Sequence, residues 1–246
     1  MTQLSVNVNK IATLRNTRSL EIPNLVKLSM CALDAGANGI TVHPRPDQRH
    51  IRPYDVDALA SLVSKYAGRE YNIEGNPFFG LVEHCLRVCP HQATLVPDAR
   101  EAFTSNHGWN LVELQSDARQ ALSWAINSLH EVGARVSLFV DPIEALMPIA
   151  KQLGADRVEL YTEPFAEGFA LGKLEEAVAP YVKAAAAARE NGLGVNAGHD
   201  LNLDNLAYFL KQVGGVDEVS IGHALIADSL ELGLTGTVKR YLAECG

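Results

Sequence analysis

Residues 4–16 read LSVNVNKIATLRN, and this stretch separates the two common classes of parallel α/β fold. Leucine and valine alternate with serine and asparagine up to Asn9, which predicts a strand with one apolar and one polar face. An open, doubly wound sheet usually has a glycine-rich turn after its first strand, and this stretch contains no glycine. The polar face, with Asn7 and Asn9, is expected either on an edge strand facing water or on a barrel strand facing a ligand.

Seven further β-rich runs follow, separated by stretches with apolar residues at three- and four-residue intervals. The runs are GITVHP (39–44), YNIEG (71–75), ATLVPD (93–98), RVSLFVD (135–141), RVELYTE (157–163), LGVNAGHD (193–200) and EVSIGH (218–223). Eight strands that alternate with helices over 246 residues are typical of an α/β protein with a (β/α)8 TIM barrel. Because no linker rich in proline, glycine or serine interrupts the pattern, we predict one domain over residues 1–246.

Composition excludes several classes of function. The formal net charge of −8 and the lack of an extended basic face argue against nucleic-acid binding. No signal-peptide pattern and no bilayer-length apolar run is present, so the chain is expected to be soluble, cytoplasmic and free of membrane contact. Four cysteines are too few for a disulfide framework. Cys85 and Cys89, beside His84, favour a buried thiol on a helix over a metal site.

The carboxyl ends of the predicted strands are rich in polar side chains. In a (β/α)8 barrel these ends meet at one mouth, where the active site lies. The side chains at the ends are Asn7, Asn9, Lys10, His43, Arg45, Glu74, Asp98, Asp141, Glu159, Glu163, His199 and His223. Since nearly every strand ends in a group that can move protons or bind anions, Asn7 and Asn9 are interpreted as facing the mouth rather than water.

His43 precedes a cluster of cationic residues that includes Arg45, Arg49 and His50. A histidine at a strand end is often only a structural hydrogen-bonding group, but this cluster could bind a phosphorylated substrate while His43 accepts a proton.

Glu74 and Glu159 are expected to point into the barrel, where burial would raise the pKa of each toward values useful for acid and base catalysis. A buried salt bridge with Lys10 or Arg45 is the structural alternative for either carboxylate.

Two glycine–histidine pairs follow the last two predicted strands. His199 follows Gly198, and His223 follows Gly222 at the start of a predicted helix. Phosphate sites of such barrels often use the loops after strands seven and eight together with a helix N-terminus. The pairs therefore predict an anion site on this side of the mouth.

Together these residues resemble the PdxJ family of pyridoxine 5′-phosphate synthases. The matching segments are VNVNKIATLRNTR (6–18), GITVHPRPDQRHI (39–51), NIEG (72–75), TLVPDAR (94–100), VSLFVD (136–141), VELYT (158–162), VNAGHDL (195–201) and IGHALI (221–226). The resemblance implies a barrel with extra helices, assembled as a homo-octamer built from dimers. It also implies that the enzyme condenses 3-amino-2-oxopropyl phosphate with 1-deoxy-D-xylulose 5-phosphate to pyridoxine 5′-phosphate, phosphate and water, a step of vitamin B6 biosynthesis, without a metal or organic cofactor.

The resemblance also implies roles for individual residues. The family's general bases correspond to His43 and Glu74, its proton donor to His199, and its transition-state-stabilising carboxylate to Glu159. Substrate-binding positions are expected at Asn7, Asn9, Lys10, Arg18, Arg45, His50, Thr104, Asp200, Gly222 and His223. Many family members have Asp-His where this chain has Asn9-Lys10, and often glycine where it has Asp200, so the substrate contacts of these three residues differ from the family pattern.

Three alternatives stay open from the sequence. His43, Glu74, Glu159 and His199 could instead bind Zn or Mn in a barrel similar to phosphosugar epimerases. Lys10 could form a Schiff base in an aldolase. The chain could also be a non-catalytic protein that binds a phosphosugar or a B6 vitamer. For the long loop predicted over residues 97–114, we expect residues 104–110 to form a lid with Gly108 as its hinge.

Overall fold

The computed structural model describes residues 1–102 and 104–246, and its eight parallel strands close into a barrel in chain order. The strands are β1 (Gln3–Asn7), β2 (Gly39–Val42), β3 (Glu70–Gly75), β4 (Gln92–Leu95), β5 (Arg135–Val140), β6 (Arg157–Leu160), β7 (Gly194–Gly198) and β8 (Glu218–Ile221). Leu4 of β1 pairs in parallel with Val219 of β8, which completes the closure. The predicted α/β class and (β/α)8 TIM barrel are confirmed.

The helices of the described residues cover the outside of the barrel. They are α1 (Asn9–Asn16), α2 (Leu25–Asp34), α3 (Pro53–Val63), α4 (Val82–Val88), α5 (Ser116–Glu131), α6 (Leu146–Leu153), α7 (Glu163–Ala170), α8 (Leu174–Glu190), α9 (Leu206–Val213), α10 (His223–Leu232) and α11 (Leu234–Glu244). A second helix is present after β1, β6 and β8, and a helical turn, Pro77–Leu81, precedes α4. The extra helices implied by the resemblance are therefore present.

The first strand is shorter than its alternating pattern predicts. β1 ends at Asn7, and Asn9 and Lys10 are the first residues of α1. The side-chain oxygen of Asn7 accepts the Asn9 N–H at 3.1 Å, a local bond that turns the chain out of the strand. The prediction that the strand extends to Asn9 is thus wrong by two residues.

The two faces of the strands differ in polarity. Val6 and Ile40 are fully buried and belong to the apolar core that also includes the helices. The opposite face fills the barrel with hydroxyl and amide groups, because Ser5 Oγ lies 2.7 Å from Thr41 Oγ1 and Asn72 Nδ2 donates to the same Thr41 oxygen at 3.4 Å. The polar face of β1 therefore points into the barrel, and the edge-strand alternative is wrong.

The long loop between β4 and α5 is present, but Gly108 does not have the surroundings of a hinge. A Cβ atom at Gly108 would lie 2.3 Å from the Cα of Val140, and the Gly108 N–H donates to Asp141 Oδ1 at 3.1 Å. Trp109 is 7% exposed and its indole N–H donates to the Leu95 carbonyl at 2.9 Å. Glycine is required here by the close approach to β5, so the hinge expectation is not supported.

Two further sequence predictions concern cysteines and membranes. Cys85 is a buried thiol on α4, as expected, whereas Cys89 is exposed and follows the helix in a left-handed conformation. Within residues 1–102 and 104–246, no helix combines the length and the apolar composition that crossing a bilayer requires.

Candidate active site

Asn7 and Ser220 bind Glu74 at the barrel mouth. The amide of Asn7 donates to Glu74 Oε2 and the hydroxyl of Ser220 donates to Oε1, each at 3.3 Å. Both donors are neutral, and burial raises the pKa of Glu74 to about 7. A carboxyl group with this pKa can both accept and return a proton near neutral pH.

Glu159 lies deeper in the barrel and is 4% exposed. Its Oε2 accepts a hydrogen bond from Thr94 at 3.4 Å. Burial, and then the negative charges of Glu74 and Glu218, raise the pKa of Glu159 well above its usual range. Burial therefore favours the neutral form of the Glu159 carboxyl group, which can donate a hydrogen bond or a proton.

The predicted inward orientation of both carboxyl groups is confirmed, but their alternative salt bridges are not formed. Arg45 pairs instead with Asp98, through Nη2 and Oδ2 at 2.5 Å, and Lys10 is exposed on α1. Uncharged partners leave the carboxyl groups of Glu74 and Glu159 without a fixed cation to hold them ionised, which keeps both pKa values high.

His43 and His50 form one side of the mouth. His43 is 7% exposed, and its ring packs edge-on against His50 with centroids 6.3 Å apart. Burial and then the nearby charge of Arg45 hold the pKa of His43 well below 6.5 and lower the pKa of His50 to about 4. Both rings are neutral at pH 7. His43 has the protonation state that a general base needs.

A local hydrogen bond determines the tautomer of His50. The Ile51 backbone N–H donates to His50 Nδ1 at 2.9 Å, so the neutral ring carries its proton on Nε2. The chain on either side is held by α1, because Asn16 Nδ2 donates to the His50 carbonyl at 2.8 Å. Arg15 donates to the same carbonyl and pairs with buried Asp55 through two hydrogen bonds, of 2.5 and 2.8 Å. A buried ion pair thus supports this side of the mouth.

Arg45 is buried and has partners on the long loop. Its Nη1 donates to the Ala102 carbonyl at 3.1 Å, and its ion-pair partner Asp98 accepts from Ser105 Oγ at 2.8 Å. The second oxygen of Asp98, Oδ1, is buried without a hydrogen-bond partner among the described residues. Arg45 therefore links the β2 end to Asp98 and Ala102 directly and to Ser105 through Asp98.

His199, on the opposite side, has the reverse electrostatic surroundings. Its Nδ1 lies 2.8 Å from Asp200 Oδ2, and its Nε2 lies 3.2 Å from Thr104 Oγ1 of the long loop. Burial lowers the pKa of His199, but the hydrogen bond and charge of Asp200, with further contributions from Glu74 and Glu163, outweigh it and raise the pKa above 6.5. His199 can therefore carry a proton at a pH where His43 is neutral.

Two glycines let the last strands approach closely. A Cβ at Gly198 would lie 2.0 Å from the Ser220 carbonyl oxygen, and one at Gly222 would lie 3.1 Å from the Asn7 side chain. Gly222 directly precedes α10, which begins at exposed His223. The backbone N–H groups at this helix start are available to an anion at the mouth.

The remaining predicted substrate-binding residues do not lie equally close to the centre. Asn9 contacts the site through its side-chain oxygen, which accepts the His43 backbone N–H at 2.9 Å. An amide oxygen can accept this bond as a carboxylate oxygen can, so asparagine is compatible with a hydrogen-bonding role here. Lys10 and Arg18 are exposed, at the start of α1 and in the turn after it.

Sequence reasoning missed several residues that support the site. Ser220 and Thr94 bind the two carboxyl groups, and both are on the inward faces of their strands, a position that alternation along β8 and β4 could have indicated. Arg15 and Asp55 are 40 residues apart, and no local pattern in the sequence connects them. In the described ranges, no group of three or more His, Cys, Asp or Glu side chains is arranged to hold a metal ion.

Solved structures with low sequence identity share the fold. Thiamine phosphate pyrophosphorylase from Pyrococcus furiosus superposes with a TM-score of 0.64 at 14% identity, over 99% of this chain and 95% of that one. Tryptophan synthase from M. tuberculosis superposes with a TM-score of 0.65 at 12% identity, over 99% and 92%. These likenesses extend to the barrel alone.

Sequence comparisons are more specific. Pyridoxine 5′-phosphate synthase of Albidiferax ferrireducens is 53% identical, over 98% of this chain and 96% of its own length. The enzyme of the same name from Cytophaga hutchinsonii is 51% identical over 99% of each chain. A family model described as "Pyridoxal phosphate biosynthesis protein PdxJ" matches residues 4–246. With its barrel, its mouth of acids and bases and these matches, the chain belongs to the PdxJ family.

Proposed function

We propose that this chain is an enzyme that condenses 3-amino-2-oxopropyl phosphate with 1-deoxy-D-xylulose 5-phosphate to pyridoxine 5′-phosphate, phosphate and water. The observation that carries the proposal is the set of four acid–base groups at one mouth, in environments that favour different protonation states. The reaction requires Schiff-base formation, dehydration, loss of phosphate and ring closure. Each step moves a proton at a different atom, which separate acids and bases can serve.

The proton acceptors in this scheme are His43 and Glu74. His43 is neutral because it is buried beside Arg45, so it can accept a proton without first losing one. Glu74 has a pKa of about 7 and can alternate between accepting and returning a proton within one turnover.

The proton donors are His199 and the neutral form of Glu159. His199, beside Asp200, can protonate a leaving oxygen. Glu159 is deeper in the barrel, and its carboxyl proton can stabilise negative charge that develops on the substrate in the transition state.

Two phosphorylated substrates need two anion sites, which we assign to opposite sides of the mouth. Arg45 and the Nε2–H of His50 form one site. The Gly222-His223 start of α10 forms the other, near Asn7. Asn9, Lys10, Arg18, Thr104 and Asp200 stay candidates for contacts around these two sites.

The assembly and cellular location belong to the same proposal. A homo-octamer built from dimers would cover apolar side chains that are exposed on the single chain, such as Leu20 at 62% and Ile22 at 67%. A cytoplasmic location fits four free cysteines. Light scattering on the purified protein measures the number of subunits directly.

The experiment mixes EDTA-treated protein with both substrates and follows pyridoxine 5′-phosphate and released phosphate. We expect equal amounts of both products and a loss of turnover in Glu74→Gln. Glu83→Gln, on the exposed face of α4, is the matched control and should keep full activity. Saturable substrate binding without product would contradict the proposal and favour the non-catalytic alternative. Activity that EDTA abolishes would favour a metal-dependent barrel.

A further inference from the structure

The turn that follows β7 holds His199 and Asp200 in a fixed relation. The hydroxyl of Thr162 donates to the Gly198 carbonyl at 2.9 Å and accepts the Asp200 backbone N–H at 3.1 Å. Asn205 Nδ2 donates to the Asp200 carbonyl at 3.3 Å. Thr162 and Asn205 are buried, so the backbone on both sides of the Asp200 side chain has little freedom. His199 itself has a φ of 21°, an uncommon conformation that these bonds maintain.

The backbone N–H, the carbonyl and one carboxylate oxygen of Asp200 already have protein partners. Its backbone N–H binds Thr162, and its Oδ2 lies 2.8 Å from His199 Nδ1. The Asp200 side chain is only 25% exposed. A substrate phosphate would find neither a free backbone donor nor a cation at this residue, and the carboxylate would repel it. This arrangement therefore disfavours a contact between Asp200 and a substrate phosphate.

We propose that Asp200 is a positioning residue that holds the His199 imidazolium with Nδ1–H on the carboxylate and Nε2–H directed at the substrates. The inference deepens the proposed function, because it rests on His199 as the proton donor of that reaction. Thr104 Oγ1, 3.2 Å from Nε2, lies on the side of the ring that faces away from Asp200. A ring that is hydrogen-bonded at Nδ1 presents one defined nitrogen, Nε2, for proton transfer. Carboxylates orient other functional histidines in the same way.

The groups around His199 show why the Asp200 carboxylate has a large effect on the proton affinity of the ring. Glu74 and Glu163 favour its proton, whereas burial opposes it. His43 is near enough for the two rings to repel each other when both are charged. Tyr161 packs edge-on against the ring, with centroids 6.2 Å apart. Of these groups, Asp200 alone is hydrogen-bonded to the ring in the described structure, so its removal should change the proton affinity of His199 most.

Two variants separate the charge from the contact. Asp200→Asn keeps the shape of the side chain and removes the charge, and Asp200→Gly removes both. NMR titration of the His199 ring and pH profiles of kcat are measured for each, with Asp204→Asn, an exposed aspartate on the same loop, as the control. We expect His199 to bind its proton about tenfold more weakly in both variants. In the plot of kcat against pH, the decrease on the basic side should move to lower pH. Turnover should recover at acidic pH.

A different pattern would overturn the proposal. If His199 titrates as in the unaltered protein and the variants only raise KM, Asp200 is a substrate contact. A loss of kcat that is equal at every pH, with the His199 titration unchanged, would assign it a purely structural role. The NMR titration needs no turnover, so a chain that makes no pyridoxine 5′-phosphate would fail the proposed function while still testing the pairing of Asp200 with His199.

Discussion

Two sides of the barrel mouth contain the same type of side chain in opposite electrostatic surroundings. On the side of β2, His43 is buried beside Arg45 and His50, and its pKa lies well below 6.5. On the side of β7, His199 is hydrogen-bonded to Asp200, and its pKa lies above 6.5. The neighbours, rather than the histidines, determine which ring stays neutral and which ring binds a proton more readily.

Glu74 adds a third ionisable group to this mouth and interacts electrostatically with His199. It lowers the cost of protonating His199, and the charge of His199 in turn partly offsets the burial that raises the Glu74 pKa to about 7. One mouth can therefore contain a neutral base, a protonated acid and a carboxyl group of intermediate pKa at the same pH.

The side of the mouth formed by His43, Arg45 and His50 is called the accepting side, and the side formed by His199 and Asp200 the donating side. The largest effect is expected when the accepting side loses its base, His43. His43→Asn should lower kcat/KM by about 10²- to 10⁴-fold, the usual contribution of a general base, without a shift in the pH at which activity falls on the basic side. Steady-state kinetics between pH 6 and 9 would measure both. His130→Asn, on the exposed end of α5, is the control. A His43 variant with full activity would remove this side from the proton-transfer scheme.

The ion pair under the accepting side should dominate its stability. Arg15→Ala leaves Asp55 buried without its partner and should lower the free energy of unfolding by about 3–5 kcal/mol. Arg87→Ala breaks an exposed pair with Asp57 and should cost about 1 kcal/mol or less. Urea unfolding at one protein concentration compares the two. Equal losses would mean that burial of the Arg15 pair has no special weight.

The pKa of His50 makes the same side sensitive to acid. Because its pKa falls from 6.5 to about 4 on folding, the unfolded chain binds a proton first as pH decreases, and stability is lost between about pH 6.5 and pH 4. Replacing the ring in His50→Asn should remove about 2 kcal/mol of the stability difference between pH 7 and pH 5. Urea titrations at both pH values test this, and an unchanged difference would contradict it.

A small effect is expected where the long loop meets the accepting side. Ser105→Ala removes one hydrogen bond to Asp98 and should cost about 1 kcal/mol, with the Arg45–Asp98 pair retained. Thermal unfolding measures the loss. Ser128→Ala is the control, because Ser128 is a half-buried serine whose hydroxyl donates only to the Trp124 carbonyl within α5. A loss in kcat much larger than the loss in stability would instead show that the loop positions Arg45 for catalysis.

The sequence predicted the barrel well because strand alternation and helix periodicity are local properties. It also predicted that His43, Glu74, Glu159 and His199 would lie at one mouth, since the carboxyl ends of parallel strands must meet. The sequence could not predict which hydrogen bonds and ion pairs the side chains at these strand ends would form. Arg45 binds Asp98, 53 residues away, instead of either carboxyl group in the barrel. The end of β1 was missed for a related reason, because the Asn7 side chain turns the chain into α1.

The most direct test of the account is an NMR titration of the histidine rings in the unaltered protein, with His43 and His199 assigned from single variants. Ring nitrogen shifts report both the protonation state and the tautomer. We expect His43 to stay neutral below pH 6.5, whereas His199 keeps its proton above pH 6.5. Rings that titrate together near pH 6.5, or in the reverse order, would contradict the assignment of an accepting and a donating side.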